Sequence, residues 1–285
     1  MQNEEGFAAP LFYDAGIRTN MRKKRAILVV SFGTSYEETR KKTIDCIEQE
    51  IQQQYPEDKV YRAWTSKIIR KKLEKRDGIV IPDVKGALQQ MAQDGVEEVI
   101  VQPTHVLNGI ENDLMTEEVM SFQGQFDHII VGAPLLTSQE DKDDVVRAVT
   151  ETLCPSFEEA LVLMGHGTEH YANSAYAALD YQFKDMGYKN IFMGTVESYP
   201  SFESLIRQVG ELQPERVVLA PFMIVAGDHA INDMSGDGED SWKSRFEQAG
   251  YQVCCIQKGL GEYPQVRRIF LKHVAASVSK LEEAY

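Results

Sequence analysis

An α/β fold is predicted: two Rossmann-like halves, each a doubly wound parallel sheet with flanking helices, related by internal duplication. Three observations predict it. Short β-rich runs alternate with amphipathic stretches along the whole chain, which is the rhythm of βα units building parallel sheets. Each half offers the same complement, four strands and four helices. The halves also carry the same punctuation at matching places.

The elements follow in order. In the first half, strands are expected at Ala26 to Ser31, Val60 to Thr65, Val99 to Pro103 and Ile129 to Ala133. Helices are expected at Tyr36 to Gln54, Ser66 to Arg76, Val84 to Gln93 and Asp141 to Leu153. The second half repeats the pattern with strands at Leu161 to Gly165, Ile191 to Val196, Val217 to Val225 and Gln252 to Ile256. Its helices are expected at Tyr171 to Met186, Phe202 to Leu212, Asp240 to Ala249 and Pro264 to Val278.

The punctuation is specific. Ser31-Phe32-Gly33-Thr34 and Gly165-His166-Gly167-Thr168 each end the first strand of their half in a Gly-Thr turn, so Phe32 corresponds to His166. Pro103 through Gly109 to Asn112-Asp113 parallels Pro221 through Gly227 to Asn232-Asp233, and alignment on the glycines sets Glu111 opposite His229. The chain therefore divides into an N-terminal extension (1–24), an N-terminal α/β domain (25–154) and a C-terminal α/β domain (155–285), the last carrying the candidate metal site. The halves are expected to face each other across a cleft.

Composition limits the function. The 285 residues, 43% hydrophobic and 26% charged, are enough for two cores of ordinary globular make-up. A formal net charge of −14 argues against nonspecific nucleic-acid binding and favours solubility. It also means that a polyanionic substrate needs a local basic patch. Cys46, Cys154, Cys254 and Cys255 show no Cys-x-x-Cys spacing; they read as buried thiols in a reducing compartment. The first 24 residues lack a basic start and an apolar stretch, and no apolar run nears the roughly 20 residues that span a bilayer. A cytoplasmic protein without membrane attachment is expected. The extension reads as a frayed tail or as a segment docking Phe7, Leu11, Phe12 and Tyr13 on a neighbour.

Ligands of open parallel sheets bind beyond the carboxyl ends of the strands, so polar residues there are the candidates. His166, Glu197 and His229 each follow a strand of the second half. Two imidazoles and one carboxylate form a mixed nitrogen and oxygen set suited to a borderline divalent ion such as cobalt, nickel, iron or zinc. The bland alternative is three side chains satisfying backbone groups in tight turns. Three coincident strand ends weigh against it.

At these residues the chain resembles a family. Leu28-Val29-Val30-Ser31-Phe32-Gly33-Thr34-Ser35, Met164-Gly165-His166-Gly167, Val196-Glu197-Ser198-Tyr199-Pro200 and the run Ala226-Gly227-Asp228-His229-Ala230-Ile231-Asn232-Asp233-Met234 are similar to the anaerobic cobalt chelatases of the CbiK type. The resemblance extends from about Lys24 to the C-terminal helix. It implies a class II chelatase fold with a tetrapyrrole in the interdomain cleft, and a metal held by His166, Glu197 and His229. Glu111 lies where the family has an acidic residue across the cleft, although Gly109-Ile110-Glu111 stands where relatives often read Gly-Asp-Glu. The implied activity is insertion of cobalt(II) into a sirohydrochlorin-type tetrapyrrole during anaerobic cobalamin biosynthesis, a lyase-class reaction.

Metallating a free-base macrocycle requires dehydrating the ion and removing two pyrrolic protons, and both steps need basic groups near the metal. His166 and His229 are expected to share metal binding and proton acceptance. Glu197 offsets the ion's charge, and Glu111 accepts a proton on the opposite face. No cofactor beyond the metal substrate is called for. The expected partners are thus a tetrapyrrole and a divalent ion, with neither nucleic acid nor membrane; a homo-oligomer stays open. A noncatalytic tetrapyrrole or haem carrier, a zinc hydrolase, and a chelatase specific for iron or nickel are the alternatives.

Secondary candidates are read more plainly. His170 suits a helix start, and His105 either lines the cleft or packs in the core. His128 and His273 read as surface or strand-edge residues. Gly33-Thr34-Ser35 is a plain turn or an anion cradle. Lys67, Arg70, Lys71, Lys72, Lys75 and Arg76 form a solvated helix face or meet substrate carboxylates. Asp237-Gly238-Glu239-Asp240 is expected to cap the following helix, and Tyr199 and Trp242 to suit a flat macrocycle.

Overall fold

The computed structural model describes residues 23–285. The expected docking of Phe7, Leu11, Phe12 and Tyr13 lies outside the described residues. Two separate four-stranded sheets form, all strands parallel, and they share one topology. In the first, β1 (Arg25–Ser31), β2 (Lys59–Trp64), β3 (Glu98–Pro103) and β4 (His128–Val131) lie in the order β2-β1-β3-β4. In the second, β5 (Glu159–Gly165), β6 (Ile191–Thr195), β7 (Arg216–Pro221) and β8 (Gln252–Cys255) lie in the order β6-β5-β7-β8. The register repeats too: Val30 pairs with Pro103, and Met164 with Pro221. Eight strands form on the eight apolar runs, because strands covered on both faces must be apolar almost throughout. However, β4 stops at Val131 and not Ala133, and β7 stops at Pro221 and not Val225, the rest of that apolar stretch running as loop into the cleft.

Among the described residues, ten α-helices surround the sheets: α1 (Glu37–Lys42), α2 (Ile44–Gln54), α3 (Lys67–Asp77), α4 (Val84–Gln93), α5 (Ile110–Met120), α6 (Gln139–Leu153), α7 (Ser174–Asp185), α8 (Phe202–Leu212), α9 (Trp242–Gln248) and α10 (Pro264–Glu282). The first half therefore carries six helices rather than four. The expected helix from Tyr36 to Gln54 breaks at Thr43, which has φ −121° and ψ −84°. Its hydroxyl donates to the Thr39 carbonyl at 2.6 Å, competing with the helical pattern. Helix α5, absent from the sequence reading, buries only Asn112, Met115 and Val119, too few to write an apolar stripe.

Alternation along the strands sorts the core into layers. Ile27, Val29 and Ile100 of the first sheet and Leu161, Leu163 and Val218 of the second belong to one buried cluster. Side chains of α2, α6, α7 and α10 complete it, so the sheets share a helical middle layer. Ala26, Leu28 and Val30 point the other way, into a cluster with α4 and α5, and Ala160, Val162 and Met164 into one with α8 and α9. Helix α10, last in the chain, crosses back to pack on α2, α6, β3 and β4 of the first half.

Two expectations fail here. None of the four cysteines is buried: Cys154 and Cys254 are exposed, Cys46 and Cys255 half-buried, and all are free. Strand β8 is an edge strand with one face to solvent, and Cys154 ends α6 in a left-handed turn (φ 37°). His273 is not a surface residue. Its Nδ1–H donates to the Ala133 carbonyl at 2.9 Å, and Nε2 meets Asp141 Oδ1 at 2.8 Å, fastening α10 to the start of α6.

Candidate metal centre

In each sheet the order reverses between the first strand and the third, β1/β3 and β5/β7, and loops leaving such a point diverge to open a crevice. A cavity of about 850 Å³ lies there, lined from both halves by Phe32, Glu111, His166, Glu197 and His229 among others. One wall comes from the loops after β5, β6 and β7. The other comes from the loops after β1 and β3 and from α3.

His166 leaves β5 one residue before Gly167, whose φ of +89° makes the turn. A Cβ on Gly167 would lie 2.9 Å from the Ser198 amide nitrogen, so only glycine lets the two loops approach this closely. The Glu197 N–H donates to the His166 carbonyl at 3.0 Å, tying both ligand loops together through the backbone. Tyr176 supports them from below. It is 3% exposed, and its ring occupies the space a Cβ on Gly165 would need. Burial pushes its hydroxyl up to about 12, against hydrogen bonds from the Gly167 and His166 backbone.

Ligand atoms of His166, Glu197 and His229 lie within 4.8 Å of one another. Such a spacing suits one ion reached by three donors. The imidazoles of His166 and His229 meet edge to face, with centroids 4.7 Å apart. His166 Nδ1 contacts the Gly167 carbonyl at 2.9 Å, and since a carbonyl only accepts, Nδ1 carries a hydrogen and Nε2 is the nitrogen left to face an ion. His229 precedes a π-helical turn, Ala230–Met234, and Asp233 Oδ2 sits 2.6 Å from its Nδ1. A carboxylate behind a ligating histidine fixes its tautomer and strengthens the opposite nitrogen as a donor.

Asp233 was missed by the sequence reading, although its spacing of four from His229 is a helical signal. Also missed were two contacts across the cleft. Tyr36 donates to Asp228 Oδ1 at 3.1 Å, and His170 Nε2 meets Asp113 Oδ2 at 3.3 Å. Burial and the Asp228 carboxylate hold the Tyr36 hydroxyl above its ordinary value, so it remains a donor.

Other candidates settle as follows. His170 accepts from the Ala172 N–H at 3.2 Å, starting a short 3-10 turn, as its position suggests. His105 is 9% exposed and lines the cavity, so it fills both of its suggested roles. Burial pushes its imidazole down to about 4, against the Asn112 hydrogen bond, and its Nε2 has no partner among the described residues. Glu111 occupies the first turn of α5 and lines the cleft. His128 lies on edge strand β4 against the Tyr285 ring. Trp242 is not a cleft residue: it is 4% exposed and packs on Phe202, 5.6 Å between ring centroids. The helix cap at α9 is Ser241, whose Oγ accepts from the Ser244 N–H at 3.1 Å; the acidic residues before it do not serve. Gly33, with φ +101°, packs on Trp64.

Comparison with known proteins places the chain in a family. The family model described as cobalt chelatase (CbiK) matches residues 25–279. The sirohydrochlorin cobaltochelatase of Salmonella typhimurium is 40% identical over 264 residues, covering 92% of this chain and 99% of the relative. The sirohydrochlorin cobaltochelatase CbiKC of Nitratidesulfovibrio vulgaris is 31% identical over 268 residues, covering 91% and 93%. Among solved structures, SirB from Bacillus subtilis with Fe3+ superposes with a TM-score of 0.63 at 14% identity, covering 91% of this chain and 98% of that one. CbiX, the terminal enzyme for biosynthesis of siroheme in denitrifying bacteria, gives 0.52 at 16% identity, covering 89% and 99%. These last two share the fold. On the family match and the two curated relatives together, the chain belongs to the cobalt chelatase (CbiK) family.

Proposed function

We propose that this chain is a cytoplasmic sirohydrochlorin cobaltochelatase, inserting cobalt(II) into a sirohydrochlorin-type tetrapyrrole in anaerobic cobalamin biosynthesis. The observation that carries the reading is the convergence of His166, Glu197 and His229 within 4.8 Å, on the wall of a cleft of about 850 Å³. An ion gripped there lies open to a flat ring entering from solvent, with Phe32 as an apolar surface in the same cavity.

The reaction exchanges one dication for two pyrrolic protons, so charge and atoms balance without an oxidant, nucleotide or cofactor beyond the metal substrate. Nε2 of His166 and of His229 and the Glu197 carboxylate replace water around the arriving ion, with the carboxylate offsetting its charge. As the ring nitrogens take the ion, the imidazoles are released from it and become able to accept protons. Glu111, in the opposite half, is the acceptor for a proton leaving toward that side. No helix among the described residues is long and apolar enough to cross a membrane.

The test mixes protein, metal-free sirohydrochlorin and one of cobalt(II), nickel(II) or iron(II), and follows the absorption of the metallated ring. Catalytic turnover is expected, fastest with cobalt, and lost in folded His166→Ala and His229→Ala proteins. Near wild-type rates in both variants would overturn the assigned roles. Faster turnover with nickel or iron would reassign the metal.

A further inference from the structure

The cleft is short of positive charge. Lys72 is the one Lys or Arg among the described residues lining it, whereas Glu111, Glu169, Glu197 and Asp228 all line the same space. Lys72 lies on α3, which is pinned to the core by buried Leu73, so Lys72 faces the cleft from a fixed helix. Its neighbours on that helix are differently placed. Arg70 pairs with Asp83 at 3.1 Å and Arg76 with Asp77 at 2.6 Å. Lys72 has no carboxylate partner among the described residues; its ammonium lies 5.9 Å from the centroid of the Tyr36 ring. The Tyr36 hydroxyl in turn reaches across the cleft to Asp228.

Resting on the tetrapyrrole reading above, we propose that Lys72 docks one carboxylate of the substrate ring and thereby fixes which edge of the macrocycle lies against α3. A sirohydrochlorin-type ring is edged with acetate and propionate groups, and the acidic cleft repels them. An unpaired ammonium beside an aromatic ring is the one cationic Lys or Arg side chain in that field among the described residues, and a carboxylate arriving there meets a cation that gives up no carboxylate partner among them. The remaining carboxylates are left to face solvent. The ring is thus oriented by a single charge as well as by shape, with the apolar Ile68 one turn earlier on α3 and lining the same cavity.

Steady-state metallation by the full chain, with sirohydrochlorin and cobalt(II) varied in turn, tests this in wild type, Lys72→Gln, Lys72→Glu and Lys72→Arg. Lys72→Gln is expected to raise the KM for sirohydrochlorin about fivefold and Lys72→Glu further. Lys72→Arg should stay near wild type, because it keeps the charge. The KM for cobalt(II) and kcat should move little in all three. Raising salt should weaken sirohydrochlorin binding to wild type more steeply than to Lys72→Gln, since the lost contact is the screened one. Wild-type KM and salt dependence in Lys72→Gln would overturn the docking role while leaving the chelatase reading intact. A wild-type protein that neither binds nor metallates sirohydrochlorin would overturn both.

Discussion

At the end of β1 the chain turns through Phe32 and Gly33; at the same place on β5 it turns through His166 and Gly167. Both glycines take positive φ, +101° and +89°, and both strands pair with a proline at the matching residue of the next strand but one. The framework is the same, yet what each glycine admits differs. Gly33 lets the backbone settle on the Trp64 ring, while Gly167 lets it settle on the backbone of the Glu197 loop. One half spends its turn on packing, and the other on bringing two ligand loops together. The second difference follows β3 and β7: Glu111 opens an eleven-residue α-helix, whereas His229 precedes a π-helical turn that supplies Asp233. A repeated scaffold thus carries a wall with two imidazoles and a carboxylate, the candidate metal centre, facing an apolar wall with one acid.

The sharpest way to break this comparison is to remove the side chains at corresponding places. His166→Ala and His229→Ala should each lower kcat/KM for cobalt insertion by more than about a hundredfold, beyond what loss of a supporting partner costs. Phe32→Ala, at the place equivalent to His166, should leave cobalt(II) affinity unchanged and raise only the KM for the tetrapyrrole. Equal loss of cobalt affinity from Phe32→Ala would show that the walls do not divide the work. On the acid side, Glu111→Gln should lower kcat by about tenfold to a hundredfold with the KM for cobalt(II) preserved, as expected for a proton acceptor that is not a ligand. A change confined to the KM for cobalt(II) would move Glu111 into the ligand set.

A smaller effect is expected one shell out. Asp233→Asn keeps the size of the side chain but removes the charge behind His229 Nδ1, and should weaken cobalt(II) binding about tenfold. Circular dichroism and melting should remain those of wild type. An unchanged dissociation constant for cobalt(II) would mean that the 2.6 Å contact holds the turn and not the metal ligand.

The strands were legible because burial on both faces forces apolar runs, and the candidate cluster was legible because His166 and Glu197 stand just past such strands and His229 follows the apolar stretch that continues beyond β7. What was not legible depends on packing between distant segments. Helix α10 carries a stripe that says it is buried, but nothing in the stripe says that it lies on the first sheet and not the second. Trp242 reads as an aromatic beside a motif and proves to be core, since its position in sequence does not reveal the Phe202 and Phe246 rings around it. The break at Thr43 is similar: Gly261, from the second half, approaches so closely that a Cβ there would lie 2.8 Å from that of Thr43. Lys72 was visible only as one of six cations on a helix, and the fold alone separates it from the other five.

The contact that returns α10 to the first half gives the smallest prediction, one of pH and stability. Asp141 is 6% exposed; burial acts to raise its pKa, but the Ser138 N–H and hydroxyl and the His273 imidazole outweigh this and hold it below the ordinary carboxylate value. A carboxylate whose pKa is depressed on folding contributes stability that is complete above the unfolded value, about 3.9, and is lost as pH falls through the folded one. Wild-type stability should therefore decline in acid below about pH 4 in part through this group. In Asp141→Asn that share should be absent, leaving a lower plateau at neutral pH and a flatter acid limb in urea titrations. Identical acid limbs for wild type and Asp141→Asn would mean that the Asp141–His273 contact adds no charge-dependent share to the docking of α10, which the Lys272 and Arg267 ion pairs and the apolar face then carry.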